Sequence, residues 1–178
     1  WNVAEPIPPE IDQELADFPP LLRQLLYNRG VRDAESAQAF VEANSPGATD
    51  PFLIRDMTEA VELLHAALTN GTPIAIYGDY DVDGVTSTAL LYELLQKLGV
   101  SPRIYIPNRF DEGYGLNMDA VEQLAHEGIG LIITVDCGIR SVEEIALARR
   151  LGMHVILTDH HQPGEMLPPA DAILNVHQ

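Results

Sequence analysis

Short apolar runs of strand length alternate with longer helical segments from residue 73 onward. The pattern predicts strands over Ile74 to Tyr77, Arg103 to Ile106, Leu131 to Val135, His154 to Leu157 and Ala172 to Leu174. It predicts helices between them over Thr86 to Leu98, Asn117 to Glu127 and Ser141 to Leu151. This alternation favours an α/β fold, with a doubly wound, mostly parallel sheet and helices on both faces.

The first 70 residues have a different pattern. Residues 1 to 19 are rich in proline and are predicted to be extended or poorly ordered. Short helices are predicted from Pro20 to Arg29 and from Asp33 to about Val41, and a longer one follows Asp56. We therefore expect an extended segment and helical lead-in over residues 1–70, followed by an α/β domain over residues 71–178.

Three residues in this pattern are interpreted as helix caps. Asp33 precedes the second short helix, and Asp56 and Ser141 each have a glutamate three residues later, at Glu59 and Glu144. A short polar side chain followed at that spacing by glutamate is typical of a capping box.

The polar residues with possible chemistry each follow a predicted strand. Because ligands of parallel sheets bind beyond the carboxyl ends of the strands, these residues are expected to meet at one edge. The first, third and fourth strands are followed by Asp79, Asp81 and Asp83, by Asp136, and by Asp159, His160 and His161. The stretch PNRFDEGYGLN, residues 107–117, follows the second strand.

So many carboxylates at one edge repel one another and need a counter-charge. Carboxylate oxygens with one or two imidazoles suit Mn²⁺ or Mg²⁺ better than a structural zinc site, which usually contains thiolates. The number of acidic groups suggests two ions roughly 4 Å apart, which would clamp a phosphate and lower the pKa of a bound water. Asp136 is the candidate bridge between them because it follows a middle strand. The pattern therefore predicts metal-dependent phosphoester hydrolysis.

Two other motifs share parts of this sequence. An EF-hand calcium loop starting at Asp79 would need glutamate at its twelfth position, which is Leu90, and a helix before it rather than a strand. The stretch DVDGV, residues 81–85, resembles the nucleophile motif of haloacid dehalogenase-type phosphatases, but there the first aspartate directly follows a strand. Here three residues intervene, so this reading is the alternative enzyme class.

Composition sets further limits on the function. The 178 residues contain 10 Lys and Arg against 27 Asp and Glu, a net charge of −17. Such a surface repels nucleic acid and anionic membranes unless metal ions or a local basic patch reverse the field. No apolar run approaches the ~20 residues of a membrane span, and the first residues do not resemble a signal peptide. We expect a cytoplasmic protein with no membrane partner.

The sequence gives less support for a functional role of the remaining candidate residues. Cys137, the single cysteine, cannot form an intrachain disulfide and is interpreted as a small packed residue rather than a nucleophile. Gly113 and Gly115 fit either a backbone turn or a loop that, with Arg109, contacts a phosphate. The other histidines are interpreted as surface or strand-end residues: His65, His126, His154 and His177.

Four stretches together resemble a known family. GDYDVDGVTSTALL, PNRFDEGYGLN, ITVDCGI and ILTDHHQP occur in the order seen in the DHH phosphoesterases, and most closely resemble the RecJ-type single-strand-specific exonucleases. The helical lead-in is also similar to the amino-terminal region of that type. The resemblance implies a Mn²⁺- or Mg²⁺-dependent exonuclease that degrades single-stranded DNA from its 5′ end, releases 5′-mononucleotides and acts in DNA repair and recombination.

The resemblance also assigns roles to residues. It implies metal ligation by Asp79, Asp81, Asp83, Asp136 and His160, and it places His161 beside the scissile phosphate. Arg109 is predicted from its charge and placement to contact a substrate phosphate.

The resemblance further implies a longer protein. RecJ-like proteins carry a fourth motif with another aspartate, a DHHA1 domain and usually an OB-type domain, so this chain is expected to be an amino-terminal catalytic piece. Expected partners are a single-strand-binding protein and a RecQ-type helicase, and a monomer is expected. Two alternatives stay open: the same chemistry on a small phosphorylated substrate (an oligoribonucleotide, a cyclic dinucleotide or pyrophosphate), or a non-catalytic DHH-fold binding module.

Overall fold

The computed structural model describes residues 3–43, 50–108, 113 and 115–178. The chain forms two compact units, Trp1–Asp50 and Pro51–Gln178. Among the described residues, no helix is both long enough and apolar enough to cross a membrane.

The first unit consists of three short helices, α1 (Pro9–Glu14), α2 (Pro20–Tyr27) and α3 (Ala34–Val41). Leu15, Leu26 and Ala37 form its buried centre. The expectation that residues 1–19 are extended or poorly ordered is wrong for α1. The first turn of a helix tolerates proline, because the backbone N–H groups of that turn have no acceptor within the helix. Pro9 is the first residue of α1.

The second unit alternates strands and helices. Its elements are α4 (Met57–Asn70), β1 (Ile74–Tyr77), α5 (Val82–Lys97), β2 (Arg103–Tyr105), α6 (Met118–His126), β3 (Leu131–Val135), α7 (Val142–Arg150), β4 (His154–Thr158) and β5 (Ala172–Leu174), with a 3-10 turn at Pro51–Leu53 before α4. All five predicted strands are present, each within one residue of its predicted ends.

The five strands form one sheet in the order β2-β1-β3-β4-β5, and every neighbouring pair is parallel. The chain leaves β1 for one edge of the sheet and returns to the other side of β1 at β3. This reversal opens a crevice between the carboxyl ends of β1 and β3, which is where sheets of this order bind ligands.

Helices cover both faces of the sheet, as predicted. On one face, α4 and α5 pack against Ile74 and Ile76 of β1 and the matching residues of its neighbours. On the other face, α6 and α7 pack against Ala75 and Tyr77. Successive strand residues therefore belong to opposite cores, which explains why the strands are apolar runs rather than alternating patterns.

The helix α4 packs on the sheet. Its Ala60 and Ala67 share a core with Ala172 of β5, so the structural division after Asp50 lies earlier than the predicted division after residue 70. Asp56 does not cap α4. It adopts a left-handed conformation (φ 58°), and its Oδ2 accepts a hydrogen bond from Ile173 N at 3.1 Å.

Candidate metal centre

The three aspartates after β1 lie at the start of α5. Asp81 is the N-cap of α5, and its Oδ1 accepts a hydrogen bond from Gly84 N at 3.0 Å. This hydrogen bond is the main reason that the pKa of Asp81 is lowered. Asp83 lies exposed in the first turn of α5. The helix therefore begins at Val82, four residues before the predicted Thr86, because an aspartate cap is available there.

Asp79 lies beneath this turn and is buried, with 2% of its surface exposed. A Cβ on Gly84 would lie 2.5 Å from the carbonyl oxygen of Asp79, so only glycine lets the first turn of α5 approach so closely. Within the described part of the chain, Asp79 Oδ1 accepts no hydrogen bond. A buried carboxylate oxygen without a donor is costly, and a bound cation would offset that cost.

Asp136 follows β3 in a left-handed conformation (φ 63°), which is uncommon for any residue other than glycine. Its backbone N donates to Thr158 O at 3.0 Å, and its side chain is 5% exposed. Burial is the main cause that raises the pKa of Asp136, followed by the negative charge of Asp81. The Nε2 atom of His160 lies 2.9 Å from Asp136 Oδ1.

Asp136 belongs to two clusters of possible metal ligands. Asp79, Asp81 and Asp136 each offer an oxygen within 4.8 Å of the others, and Asp136, His160 and His161 each offer a ligand atom within the same limit. Asp83 joins neither of these clusters. Carboxylate oxygens with imidazole nitrogens fit Mn²⁺ or Mg²⁺, and the shared residue is the one that the sequence predicts as a bridge.

The loop after β4 presents its two histidines to different clefts. His160 lines a cleft of about 360 Å³ with Asp136 and Asp83, whereas His161 lines one of about 670 Å³ with Arg140 and other residues that precede or begin α7. The two rings are in contact, with centroids 4.5 Å apart. The loop thus separates an acidic cleft from a more mixed one.

Asp159 has a role that the sequence prediction did not assign. Its Oδ1 accepts hydrogen bonds from His161 Nδ1 at 2.7 Å and from His161 N at 3.0 Å, and its Oδ2 accepts one from Ile139 N at 3.0 Å. The signal in sequence was its place beside two histidines, but only the structure shows that its oxygens accept hydrogen bonds from the loop after β3 as well as from its own loop.

The segment after β2 reaches the same edge of the sheet. The buried hydroxyl of Tyr77 donates to Gly115 O at 3.2 Å and accepts from Asn117 Nδ2 at 3.3 Å. Gly113 and Gly115 have φ values of 79° and 84°, a backbone turn that favours glycine. Arg109, the predicted phosphate contact, lies outside the described residues.

Cys137 is confirmed as a packed residue. It is fully buried, and its Sγ donates to Tyr77 O at 3.6 Å. Burial raises the pKa of its thiol well above the ordinary value. The predicted cap at Ser141 is wrong, since its side chain makes no capping hydrogen bond to α7.

Comparison with known proteins identifies the family. The DHH family N-terminal domain matches residues 73–178, which is more than half of the chain. The chain belongs to the DHH family. This stretch holds every described residue of the two metal-ligand clusters, and the match confirms the resemblance seen in the four motifs.

Several characterised relatives are RecJ proteins. The chain is 42% identical over 180 residues to the single-stranded-DNA-specific exonuclease RecJ of Bacillus subtilis, a match that covers 100% of this chain and 23% of that protein. It is 45% identical over 161 residues to RecJ of Escherichia coli, covering 90% of this chain and 27% of that protein. The chain therefore spans about a quarter of the length of these curated relatives.

A solved structure supports the same relationship. The structure of RecJ from Thermus thermophilus in complex with Mn²⁺ superposes with a TM-score of 0.66 at 33% identity, covering 93% of this chain and 22% of that one. The α/β fold with a parallel sheet is thus shared with a manganese-bound member of the family.

Proposed function

We propose that this chain carries the metal-binding part of a single-stranded-DNA exonuclease that works from the 5′ end and releases 5′-mononucleotides in DNA repair and recombination. The observation that carries the proposal is the placement of Asp136, which is shared by two clusters of possible ligands in the crevice between β1 and β3. The RecJ names of the relatives supply the substrate class and the reaction.

The proposed ligands are Asp79, Asp81, Asp83, Asp136 and His160, which would hold Mn²⁺ or Mg²⁺. Asp79 and Asp136 are buried with their carboxylates at the strand ends, whereas Asp83 lines the adjoining cleft from α5. When bound, two such ions neutralise phosphate charge and make a water molecule more acidic. The carboxylates in turn provide the negative charge that holds cations at this edge of the sheet.

The protein groups then position the nucleic acid. Hydrolysis would add water across the bond between phosphorus and O3′ of the terminal nucleotide, so that the released nucleotide keeps its 5′-phosphate and gains a 3′-hydroxyl. His161, which lines the larger cleft and contacts the ring of His160, is proposed to contact the scissile phosphate, and Arg109 a substrate phosphate. The 71–178 segment is proposed as the catalytic domain, within a longer protein.

The proposed setting rests on the family resemblance of the sequence motifs. We expect a cytoplasmic monomer whose partners are a single-strand-binding protein and a RecQ-type helicase. The net charge of −17 disfavours strong DNA binding by these 178 residues alone. A basic groove elsewhere in a longer protein would supply that affinity.

A nuclease assay tests the proposal. This chain, and a version extended to the length of its relatives, would be incubated with Mn²⁺ and 5′-phosphorylated single-stranded DNA labelled at the 3′ end. Mononucleotides should appear while the labelled strand shortens stepwise, and the Asp136→Asn variant should leave the strand intact. Intact DNA with both chains would contradict the exonuclease and favour a small phosphorylated substrate, and a failure to bind Mn²⁺ as well would favour a binding module.

A further inference from the structure

Three N–H groups converge on the carboxylate of Asp159. The side chain is 1% exposed, and both of its oxygens are used. Oδ2 accepts from Ile139 N at 3.0 Å, while Oδ1 accepts from the backbone N and the ring Nδ1 of His161, at 3.0 and 2.7 Å. The carboxylate therefore joins the loop after β3 to the loop after β4, where the candidate ligands lie.

This arrangement restricts His161 in two ways. Because one oxygen binds both the backbone and the ring of the same residue, the orientation of the ring relative to its own main chain is fixed. Because a carboxylate can only accept, Nδ1 must carry the proton when the ring is neutral. In this neutral form Nε2 carries the lone pair.

We propose that Asp159 is a positioning residue, which acts through His161 by fixing the orientation of its ring and keeping the proton of the neutral ring on Nδ1. The effect on hydrolysis rests on the proposed function, whereas the tautomer does not. Carboxylates that orient functional histidines are a general device, and their loss typically costs ~10–100-fold in metal affinity or activity.

The chain contains a matched pair that serves as a control. Asp171 Oδ1 lies 3.0 Å from His154 Nδ1, and its Oδ2 accepts from Val155 N at 2.8 Å. Asp171 thus binds a ring nitrogen and a backbone amide, as Asp159 does. His154, however, begins β4, whereas Asp159 directly follows its end. The control pair therefore lies at the opposite edge of the sheet from the candidate metal centre.

The first test is the tautomer of His161 in the wild-type chain. Long-range ¹H–¹⁵N spectra of histidine-labelled protein distinguish a protonated Nδ1 from a protonated Nε2, and the His161→Gln variant assigns the signals. We expect the Nδ1–H form in the wild type. In Asp159→Asn an NH₂ group replaces one oxygen, so the His161 signals should move toward the Nε2–H form or an average. An Nε2–H tautomer in the wild type would overturn the proposal without the need for any variant.

The second test is a double-mutant cycle on phosphodiester hydrolysis, measured in the longer version with Mn²⁺. Asp159→Asn and His161→Gln should each lower the rate ~10–100-fold. The double variant should be no slower than the slower single variant, because Asp159 acts through His161. Asp171→Asn should lower stability but leave the rate within about twofold.

The outcomes separate the two claims. Losses that multiply in the double variant would assign Asp159 a structural role and contradict the positioning proposal. A wild-type protein that binds Mn²⁺ but hydrolyses no phosphodiester would contradict the proposed function, while the tautomer measurement would still decide the role of Asp159.

Discussion

Gly84 lies against the backbone of Asp79 so closely that a Cβ at residue 84 would meet three backbone atoms of Asp79 at 2.5–2.7 Å. The contact joins the first turn of α5 to the end of β1. It sets the spacing between Asp81, which caps the helix, and Asp79, which lies buried beneath it. The geometry of the first ligand cluster therefore depends on a residue that has no side chain.

Gly84→Ala should destabilise the chain and weaken Mn²⁺ binding. Alanine has a higher helix propensity than glycine by up to ~1 kcal/mol. The clash, however, is with backbone atoms that cannot rotate away, and overpacking of this kind costs ~1–3 kcal/mol. Gly164→Ala is the matched control, because a Cβ there would meet its nearest neighbour at an ordinary 3.8 Å. Urea unfolding and Mn²⁺ titration of both variants would test this, and a Gly84→Ala variant as stable as Gly164→Ala would contradict it.

Asn117→Ala should remove the cap of α6. The Oδ1 atom of Asn117 accepts a hydrogen bond from Ala120 N at 2.7 Å, and loss of such a cap costs ~1 kcal/mol. Asn117→Ser keeps a capping oxygen and should recover most of that stability. The midpoints of urea unfolding compare the three proteins. Equal destabilisation by alanine and serine would show that the contact of Asn117 with Tyr77, rather than the cap, is the stabilising feature.

Cys137 should be unreactive in the folded chain. It is fully buried, and its raised pKa keeps the thiol protonated at neutral pH. A chromogenic thiol reagent should therefore react with Cys137 only as fast as the native chain unfolds. In denaturant the reaction should be immediate. Because the chain has one cysteine, the signal is unambiguous. Immediate reaction in native buffer would contradict the packing described for this residue.

The stability of the first unit should depend on the charge of Asp33. Hydrogen bonds from Ser36, chiefly from its backbone N–H, lower the pKa of Asp33 from its ordinary value of 3.8. A carboxylate whose pKa is lower in the folded state stabilises the fold above its unfolded pKa, and this stabilisation is lost as the pH falls through the folded pKa. Asp33→Asn keeps a capping side chain but cannot titrate.

The measurement is the unfolding free energy of wild type and Asp33→Asn between pH 6 and pH 2. The stability of the wild type relative to the variant should be constant near neutral pH and should decline below the ordinary value of 3.8. A difference that does not change with pH would contradict the role of the charge.

The sheet could be predicted because its strands are short apolar runs bounded by polar residues. Ile74 to Tyr77 and Leu131 to Val135 have the predicted bounds, since every residue of both strands is buried and nearly all of their side chains are apolar. The edge of the sheet that carries the site followed from the parallel topology, and Asp136 follows a central strand as expected.

The ends of the helices were predicted less well, because a capping side chain can instead bond to a group that the tertiary structure brings near it. Asp33 caps its helix, but the carboxylate of Asp56 accepts from Ile173 N, which is 117 residues away. Asp159 is the same case at the site: its neighbours in sequence suggested a ligand set, whereas its oxygens accept from Ile139 and His161. Such choices depend on distances across the fold, which a sequence pattern does not contain.

The central claim is that Asp136 is the shared ligand of a divalent-metal centre, and a calorimetric Mn²⁺ titration tests it most directly. Wild-type chain, Asp136→Asn and Asp119→Asn would be titrated in the same buffer; Asp119 is an exposed carboxylate in the first turn of α6, so its variant matches the change in charge. Because Asp136 belongs to both ligand clusters, its variant should bind Mn²⁺ at least ~10-fold more weakly than wild type. The Asp119→Asn variant should bind as wild type does. Equal Mn²⁺ affinity in all three proteins would contradict the account.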